Sequence, residues 1–221
     1  MGQTFEVSWS DEVDAPPEAV WEAITHPIGW LWPVGYEPRV GGAETGLSPD
    51  GGTVTEWEPG HRFSTAAAME GGTNRIEYEL TSTPTGTAVA YVHHGICADD
   101  DELAVQHEAC IAHTDLYRHS MGQCATHFPG RDATYVAEDV EGTTDELLAA
   151  LGLTDAQVGD EVTVDAPGCE PVTAVVDYRV GTMVGWRSAD GLHRIYGRDR
   201  WGWPVGIAHH TFAPETRTET V

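Results

Sequence analysis

The chain has 221 residues, of which 40% are hydrophobic, and a formal net charge of −25 from 36 acidic and 11 basic side chains. This composition is typical of a folded protein, and the excess of carboxylates repels polyanions, which argues against nucleic acid or an anionic membrane as a partner. The sequence has no run of about 18 apolar residues and does not open on a basic segment followed by an apolar one. We therefore expect a cytoplasmic protein without a membrane span or a secretory signal.

The first predicted elements are a strand and a short helix. Residues Thr4–Ser10 alternate, with Phe5, Val7 and Trp9 on one face, as in a half-buried strand. A helix should follow, with Asp14 as its N-cap and an end at His26, because a residue that precedes proline avoids the helical region. A turn rich in tryptophan comes next.

A run of alternating segments then predicts an antiparallel sheet. Glycine and proline turns separate the segments, as in successive hairpins. In the clearest of them, Ile76, Tyr78 and Leu80 share one face. The predicted strands are Thr53–Trp57, Arg62–Met69, Thr73–Leu80 and Thr87–His94.

One long helix should close this half of the chain, ending before Pro129-Gly130. Its apolar side chains recur at steps of three and four residues, which predicts a continuous inward stripe. The stripe consists of Leu103, His107, Cys110, Thr114, Tyr117, Met121, Cys124 and Phe128.

The cysteines show no metal or disulfide pattern. They form no C-x-x-C pair, and Cys110 and Cys124 lie about 20 Å apart on one predicted helix, too far for a disulfide. We expect all four to be reduced thiols: Cys97, Cys110, Cys124 and Cys169.

The rest of the chain predicts a second, smaller unit. Residues 131–142 are polar and are interpreted as a linker, so the domains are expected at 1–130 and 143–221. A helix at Thr144–Leu151 should precede strands near Glu161–Val164, Val172–Arg179, Met183–Arg187, Leu192–Tyr196 and Val205–His210. Both halves pass from a strand with an aromatic residue to a strand that ends in His-His, so the second unit is interpreted as a partial repeat of the first.

The first 130 residues resemble SRPBCC proteins similar to the activator of Hsp90 ATPase. The resemblance lies in Asp14–Thr25, Arg39–Gly42, Thr53–Pro59 and Tyr91–Gly95. It implies an α+β helix-grip fold of the START and plant-allergen type, in which a curved antiparallel sheet holds a long C-terminal helix. Many such proteins bind hydrophobic ligands and a few are enzymes. The second unit, expected to be mainly antiparallel, is an addition to the family's common pattern.

The candidate cavity residues are the large side chains expected between sheet and helix. Two interpretations stay open for them: a packed core, or the lining of a pocket for an apolar or aromatic molecule. The candidates are Trp21, Trp30, Trp32, Trp57, Phe63, Tyr78, Tyr91, His93, His107, Tyr117 and Met121.

The histidines argue against a metal centre. His93 and His94 are adjacent on a strand and should point to opposite faces. Zinc needs three or four converging ligands, and no H-E-x-x-H or Cys/His spacing is present. We expect no metal and no cofactor. Of the histidines on the long helix, only His107 falls on the inward stripe, so His93 or His107 is expected to anchor a ligand.

The sequence predicts a cytoplasmic binding protein for a small hydrophobic or aromatic molecule, held in an internal cavity without chemical change. Two alternatives stay open: a protein-interaction module, chaperone-linked or self-associating, and a cyclase- or hydrolase-type enzyme that uses a cavity histidine. No G-x-S-x-G motif is present, which favours binding over catalysis. The expected partners are the small molecule and, in a homodimer, a second copy of the chain.

Overall fold

The computed structural model describes residues 3–97, 103–165 and 170–214. The chain divides into two compact units, Met1–Gly130 and Arg131–Val221. Each unit is built on one antiparallel sheet with helical segments, so the chain is α+β, as the sequence predicts. Cys169 lies outside the described residues.

The first unit contains a seven-stranded sheet in the order β1-β7-β6-β5-β4-β3-β2. The first strand pairs with the last, and the remaining strands follow one another as a meander. The strands are β1 (Gln3–Val13), β2 (Gly35–Tyr36), β3 (Ala43–Thr45), β4 (Gly52–Glu58), β5 (Arg62–Met69), β6 (Gly72–Ser82) and β7 (Thr87–Cys97).

Two α-helices complete the first unit. Helix α1 (Pro17–Thr25) begins after Pro16, not after the expected N-cap Asp14, and its N-cap makes no side-chain hydrogen bond. Proline at the first turn costs no backbone hydrogen bond there, since that N–H would be unsatisfied in any case. Helix α2 (Leu103–His127) is the long predicted helix. It packs against α1 and β1, which gives the helix-grip arrangement.

The second unit contains a six-stranded sheet in the order β8-β13-β12-β11-β10-β9. The predicted linker 131–142 is wrong in part, because strand β8 (Ala133–Val140) occupies most of it and pairs with the last strand. Helix α3 (Thr144–Ala150) follows, with a capping box between Thr143 and Glu146. The other strands are β9 (Glu161–Val164), β10 (Val172–Val180), β11 (Met183–Ser188), β12 (Gly191–Tyr196) and β13 (Val205–Phe212).

Both units follow the same order of elements: a strand, a helix, and a meander whose last strand pairs with the first. A β-bulge interrupts β4 between Val54 and Glu56, and another interrupts β10 between Val176 and Tyr178. The bulged strands are thus one in each unit, and the two His-His pairs lie on β7 and β13, the last strand of each meander.

A buried ion pair crosses the second sheet beside its bulge. Arg194 on β12 is fully buried and donates to both carboxylate oxygens of Asp177, at 3.1 and 3.0 Å. The pair passes over Gly185 on β11, where an added Cβ would lie 2.7 Å from Nη1 of Arg194 and 2.9 Å from Oδ1 of Asp177. Glycine is therefore required at this position by the ion pair.

Candidate ligand-binding cavity

The first unit encloses a cavity of about 300 Å³ between the sheet and helices α1 and α2. This volume is at the lower end of what ligand pockets offer. Aromatic side chains dominate its wall, and they come from strands, from α2 and from the segment between α1 and β3. They are Phe5, Trp9, Trp30, Trp32, Tyr36, Tyr78, Tyr91 and Tyr117.

Most of the sequence-predicted candidates line this cavity. They come from β6, β7, α2 and the tryptophan-rich turn, where strand alternation and helical spacing both point inward. These residues are Trp30, Trp32, Tyr78, Tyr91, His93, Tyr117 and Met121.

Trp21, Trp57 and Phe63, also predicted as cavity candidates, do not line the cavity and form an edge-to-face cluster beside it. Their ring centroids lie 5.2 to 6.3 Å apart, and the rings are nearly perpendicular. Such contacts stabilise packed aromatic cores. For these three residues the structure therefore favours the packed-core interpretation.

His107 is also absent from the wall, although its helical position predicted an inward side chain. Its Nε2 lies 3.2 Å from the backbone carbonyl oxygen of Glu6 on β1, and its ring packs against Phe5. His113, six residues further along α2, lines the cavity instead.

The two predicted wall tryptophans are held in place by hydrogen bonds. The indole N–H of Trp30 donates to the carbonyl of Ala23 at 2.6 Å, and that of Trp32 donates to the carbonyl of Gly46 at 2.7 Å. Trp30 is 4% exposed. These bonds tie the turn after α1 to its neighbours and fix one side of the cavity.

A loop that the sequence analysis did not single out forms another part of the wall. Leu47, Ser48 and Pro49 line the cavity after β3. Oε1 of the buried Glu44 accepts the backbone N–H groups of Leu47 and Ser48, at 2.8 and 3.2 Å. By accepting these two backbone hydrogen bonds, the Glu44 carboxylate fixes the loop. Neither this role of Glu44 nor the position of the loop can be predicted from the local sequence.

Three polar side chains from different elements meet at the cavity wall. Nε2 of His93 lies 2.8 Å from Oδ1 of Asn74 on β6, and Nδ1 of His93 lies 3.4 Å from Sγ of Cys110 on α2. Sγ of Cys110 also lies 3.8 Å from Oγ1 of Thr114, one helical turn away. All four residues line the cavity. The sequence predicts His93 as a cavity residue, but no pattern in it connects His93 with Asn74 or Cys110.

Burial shifts the pKa values of this cluster toward neutral forms. Desolvation, with the neighbouring His94 as a smaller cause, lowers the pKa of His93 to about 4. Desolvation raises the pKa of the Cys110 thiol, and a hydrogen bond with Thr114 opposes that shift. At neutral pH the imidazole and the thiol are therefore both uncharged.

The aromatic wall also offers hydrogen-bond donors. Burial raises the pKa of Tyr36, Tyr78 and Tyr91 above the usual value for a phenol, so all three keep their protons. The Trp9 ring stacks on Tyr91, and its indole N–H is buried without a hydrogen-bond acceptor among residues 3–97, 103–165 and 170–214. A buried donor without a partner costs the folded state free energy.

Phe5 takes its place on the wall because Gly95 lies opposite it on β7. A Cβ added at Gly95 would collide with the far edge of the Phe5 ring. The ring therefore lies across the neighbouring strand, where it also contacts His93 edge-on at a centroid distance of 5.8 Å.

A search of the described residues for three or more converging histidine, cysteine, aspartate or glutamate side chains finds no candidate metal site. Within the same residues, no helix is both long enough and apolar enough to cross a bilayer.

Residues 14–115 match the family described as activator of Hsp90 ATPase homolog 1-like protein. The matched residues all lie in the first unit, which is therefore similar to this family. The match agrees with the helix-grip arrangement of β1, the meander and α2. The curated proteins contain no match to the chain.

Solved structures similar to the chain include three that cover different shares of it. A protein from Mesorhizobium loti is 23% identical over 54% of this chain and 95% of its own, with a TM-score of 0.44. The Aha1 dimer from Colwellia psychrerythraea, solved in solution, is 15% identical over 55% and 96%, with a TM-score of 0.44. DynU16, a protein of the dynemicin biosynthetic locus, is 13% identical over 93% and 86%, with a TM-score of 0.45.

Proposed function

We propose that the first unit binds a small, uncharged, apolar or aromatic molecule in the cavity. The observation that carries the proposal is an aromatic-walled space of about 300 Å³ with polar groups at a few points. Natural ligand sites have this character: an apolar lining supplies affinity, and a few placed polar groups supply orientation.

The charges around the cavity favour a neutral ligand. The basic residue on the wall, Arg118, is engaged by Asp11 on β1 and by Asp115 on its own helix. His93 is uncharged at neutral pH, as its lowered pKa requires. A charged ligand would lose its hydration on entry and gain little in return, because burial of an unpaired charge is costly.

The ligand should also carry one hydrogen-bond acceptor. Tyr78 on the wall carries a protonated phenol, that of Tyr91 is hydrogen-bonded with Thr114, and the buried indole N–H of Trp9 has no acceptor among the described residues. A carbonyl or ether oxygen on an aromatic ring system would accept a hydrogen bond from Tyr78. Binding should proceed by burial of apolar area and by this single polar contact.

The first test is native mass spectrometry of the freshly purified protein, followed by calorimetric titration with 2-naphthol as a neutral aromatic probe. We expect a saturable site with one probe per chain. Ile76→Trp fills the cavity from β6 and should weaken binding at least tenfold, whereas Thr81→Trp, exposed on the same strand, should leave the affinity unchanged. Equal affinities in the two variants would refute the proposal, and the native spectrum also tests the expected homodimer.

A further inference from the structure

The Cys110–His93–Asn74 cluster has the arrangement of a nucleophile, a general base and a group that orients the base. Oδ1 of Asn74 accepts a hydrogen bond, so the proton of the neutral imidazole lies on Nε2. Nδ1 then carries the lone pair and faces Sγ of Cys110 at 3.4 Å, where it can accept the thiol proton. Hydrogen bonding at one ring nitrogen thus prepares the other as a base.

Nucleophilic attack from this position is directed into the cavity. Cys110 and His93 both line it, and Cys110 is only partly buried. Of the other described cysteines, Cys97 and Cys124 are buried and do not line the cavity. The thiol beside a neutral imidazole therefore faces the same space as the proposed ligand.

We propose that Cys110 forms a covalent thioester with the acyl group of a small, neutral aromatic ester, with His93 as general base and Asn74 as the positioning residue. This inference rests on the proposed cavity binding and adds a chemical step to it. The aromatic wall selects the substrate class, and the thiol supplies the reaction.

The atoms balance with water as the co-reactant. Nδ1 of His93 takes the thiol proton while Sγ attacks the carbonyl carbon, and the carbonyl electron pair moves to oxygen. Collapse of this intermediate breaks the ester C–O bond, and the leaving alcohol takes the proton from His93. Water, deprotonated by His93, then attacks the thioester, releases the carboxylic acid and returns the proton to sulfur. The net reaction is ester plus water giving acid plus alcohol.

The imidazole of His93 is unprotonated at neutral pH and can accept the thiol proton, but its lowered pKa and the raised pKa of Cys110 make the transfer uphill, so it has to be concerted with attack on the ester. Asn74 and Cys110 contact its two ring nitrogens, Phe5 packs against its ring, and His94 is its neighbour on β7. None of them supplies a carboxylate that would hold the imidazole protonated. Tyr78 lines the same cavity and keeps its phenolic proton, so we assign it as the donor to the negative charge that develops on oxygen.

The test uses the full-length protein and 4-nitrophenyl acetate, a neutral aryl ester. We expect a burst of about one equivalent of 4-nitrophenolate per chain, and a peptide map that places one acetyl group on Cys110. The C110A variant should lose the burst, and the matched control C124A, on the same helix but off the cavity, should keep it. His93→Gln should slow acetylation by about 100-fold or more, the usual contribution of a general base.

Asn74 is tested by a readout that a purely structural role would not move. The ¹⁵N spectrum of His93 should show the Nε2–H tautomer in the wild type and a mixture of tautomers in Asn74→Ala, together with slower acetylation. An unchanged tautomer would overturn the positioning role.

Titration of every variant with 2-naphthol separates this inference from the binding proposal. If the wild type binds the probe but gives no burst, or is acetylated at another residue, Cys110 is not the nucleophile. The proposal that the cavity binds a small molecule then still stands. A C110A variant that binds the probe normally but keeps the burst also refutes the assignment of Cys110 as the nucleophile. Failure of the wild type to bind the probe counts against the binding proposal itself.

Discussion

At the scale of single residues, the burial of two histidines makes the stability of the fold depend on pH. The pKa of His93 falls to about 4, chiefly through desolvation, and the pKa of His193 on β12 falls to about 4 through desolvation and its neighbour His209. The rings of His193 and His209 meet with their Nδ1 atoms 2.7 Å apart. Both lowered pKa values mean that the folded state disfavours the charged imidazole.

The contribution of His93 and His193 to the free energy of unfolding should therefore fall as the pH falls from about 6.5 to about 4. In that window the unfolded chain binds protons that the folded chain excludes, and each histidine can contribute about 3 kcal/mol at most. Urea titrations at several pH values measure the slope. His93→Gln should reduce it, whereas His61→Gln, at an exposed site, should not. Identical slopes in both variants would contradict the assignment.

The residues of the cavity show what sequence periodicity can predict. Strand alternation placed Tyr78 and Tyr91 on the inner face, and helical spacing placed Tyr117 and Met121 there. Periodicity predicts which face of the sheet a side chain occupies, but not where along the sheet the cavity lies. Phe63 therefore has an inward position yet lies outside the cavity. Asn74, His93 and Cys110 come from three different elements. No local sequence pattern therefore predicts that their side chains meet.

At the scale of elements, strand β8 shows why some strands escape sequence analysis. Within the described residues it pairs with β13 alone, at the edge of its sheet, and most of its side chains are exposed. An edge strand of this kind has no apolar face to produce alternation, and its place is fixed by backbone hydrogen bonds. The longer strands of the two meanders, β4 to β7 and β9 to β13, had their bounds predicted closely, whereas the short strands β2 and β3 were not predicted.

The ion pair that crosses β11 gives a prediction for the second sheet. Asp177→Asn should lower the free energy of unfolding by about 3 to 5 kcal/mol, because it leaves the buried Arg194 without its counter-charge. Denaturant curves measure the loss. The matched control is Asp139→Asn, which breaks the more exposed pair with Arg198 and should cost no more than about 1 kcal/mol. Equal losses in the two variants would show that burial of the first pair is energetically unimportant.

At the scale of the whole molecule, the charge dominates. With 36 acidic and 11 basic side chains, carboxylates repel one another across the surface. The thermal midpoint at pH 7.5 should therefore rise with sodium chloride between 0.01 and 0.5 M, because salt shortens the screening length from about 30 Å to a few ångströms. The same series near pH 5, closer to the sequence pI of about 4.5, should show a smaller rise. A midpoint independent of salt at pH 7.5 would contradict this prediction.

The interpretation of residues 143–221 as a partial repeat of the first unit stays a prediction. The shared order of elements, the two bulges and the placement of His93 and His209 support it. The described part of the second unit has no counterpart of α2. A comparison of strand sequences alone could not reveal the similarity between the two units, because it lies in the order of elements more than in the residues.

The Phe5 ring depends on a residue that does not itself line the cavity. Gly95 leaves room for the ring on β7, so the size of the binding space is set partly from outside its wall. A side chain at this position would displace Phe5 and change which molecules fit, with every wall residue unaltered. Efforts to redesign the ligand preference should therefore vary Gly95 together with the wall residues. A library restricted to wall positions would not sample the effect of residue 95 on the position of the Phe5 ring.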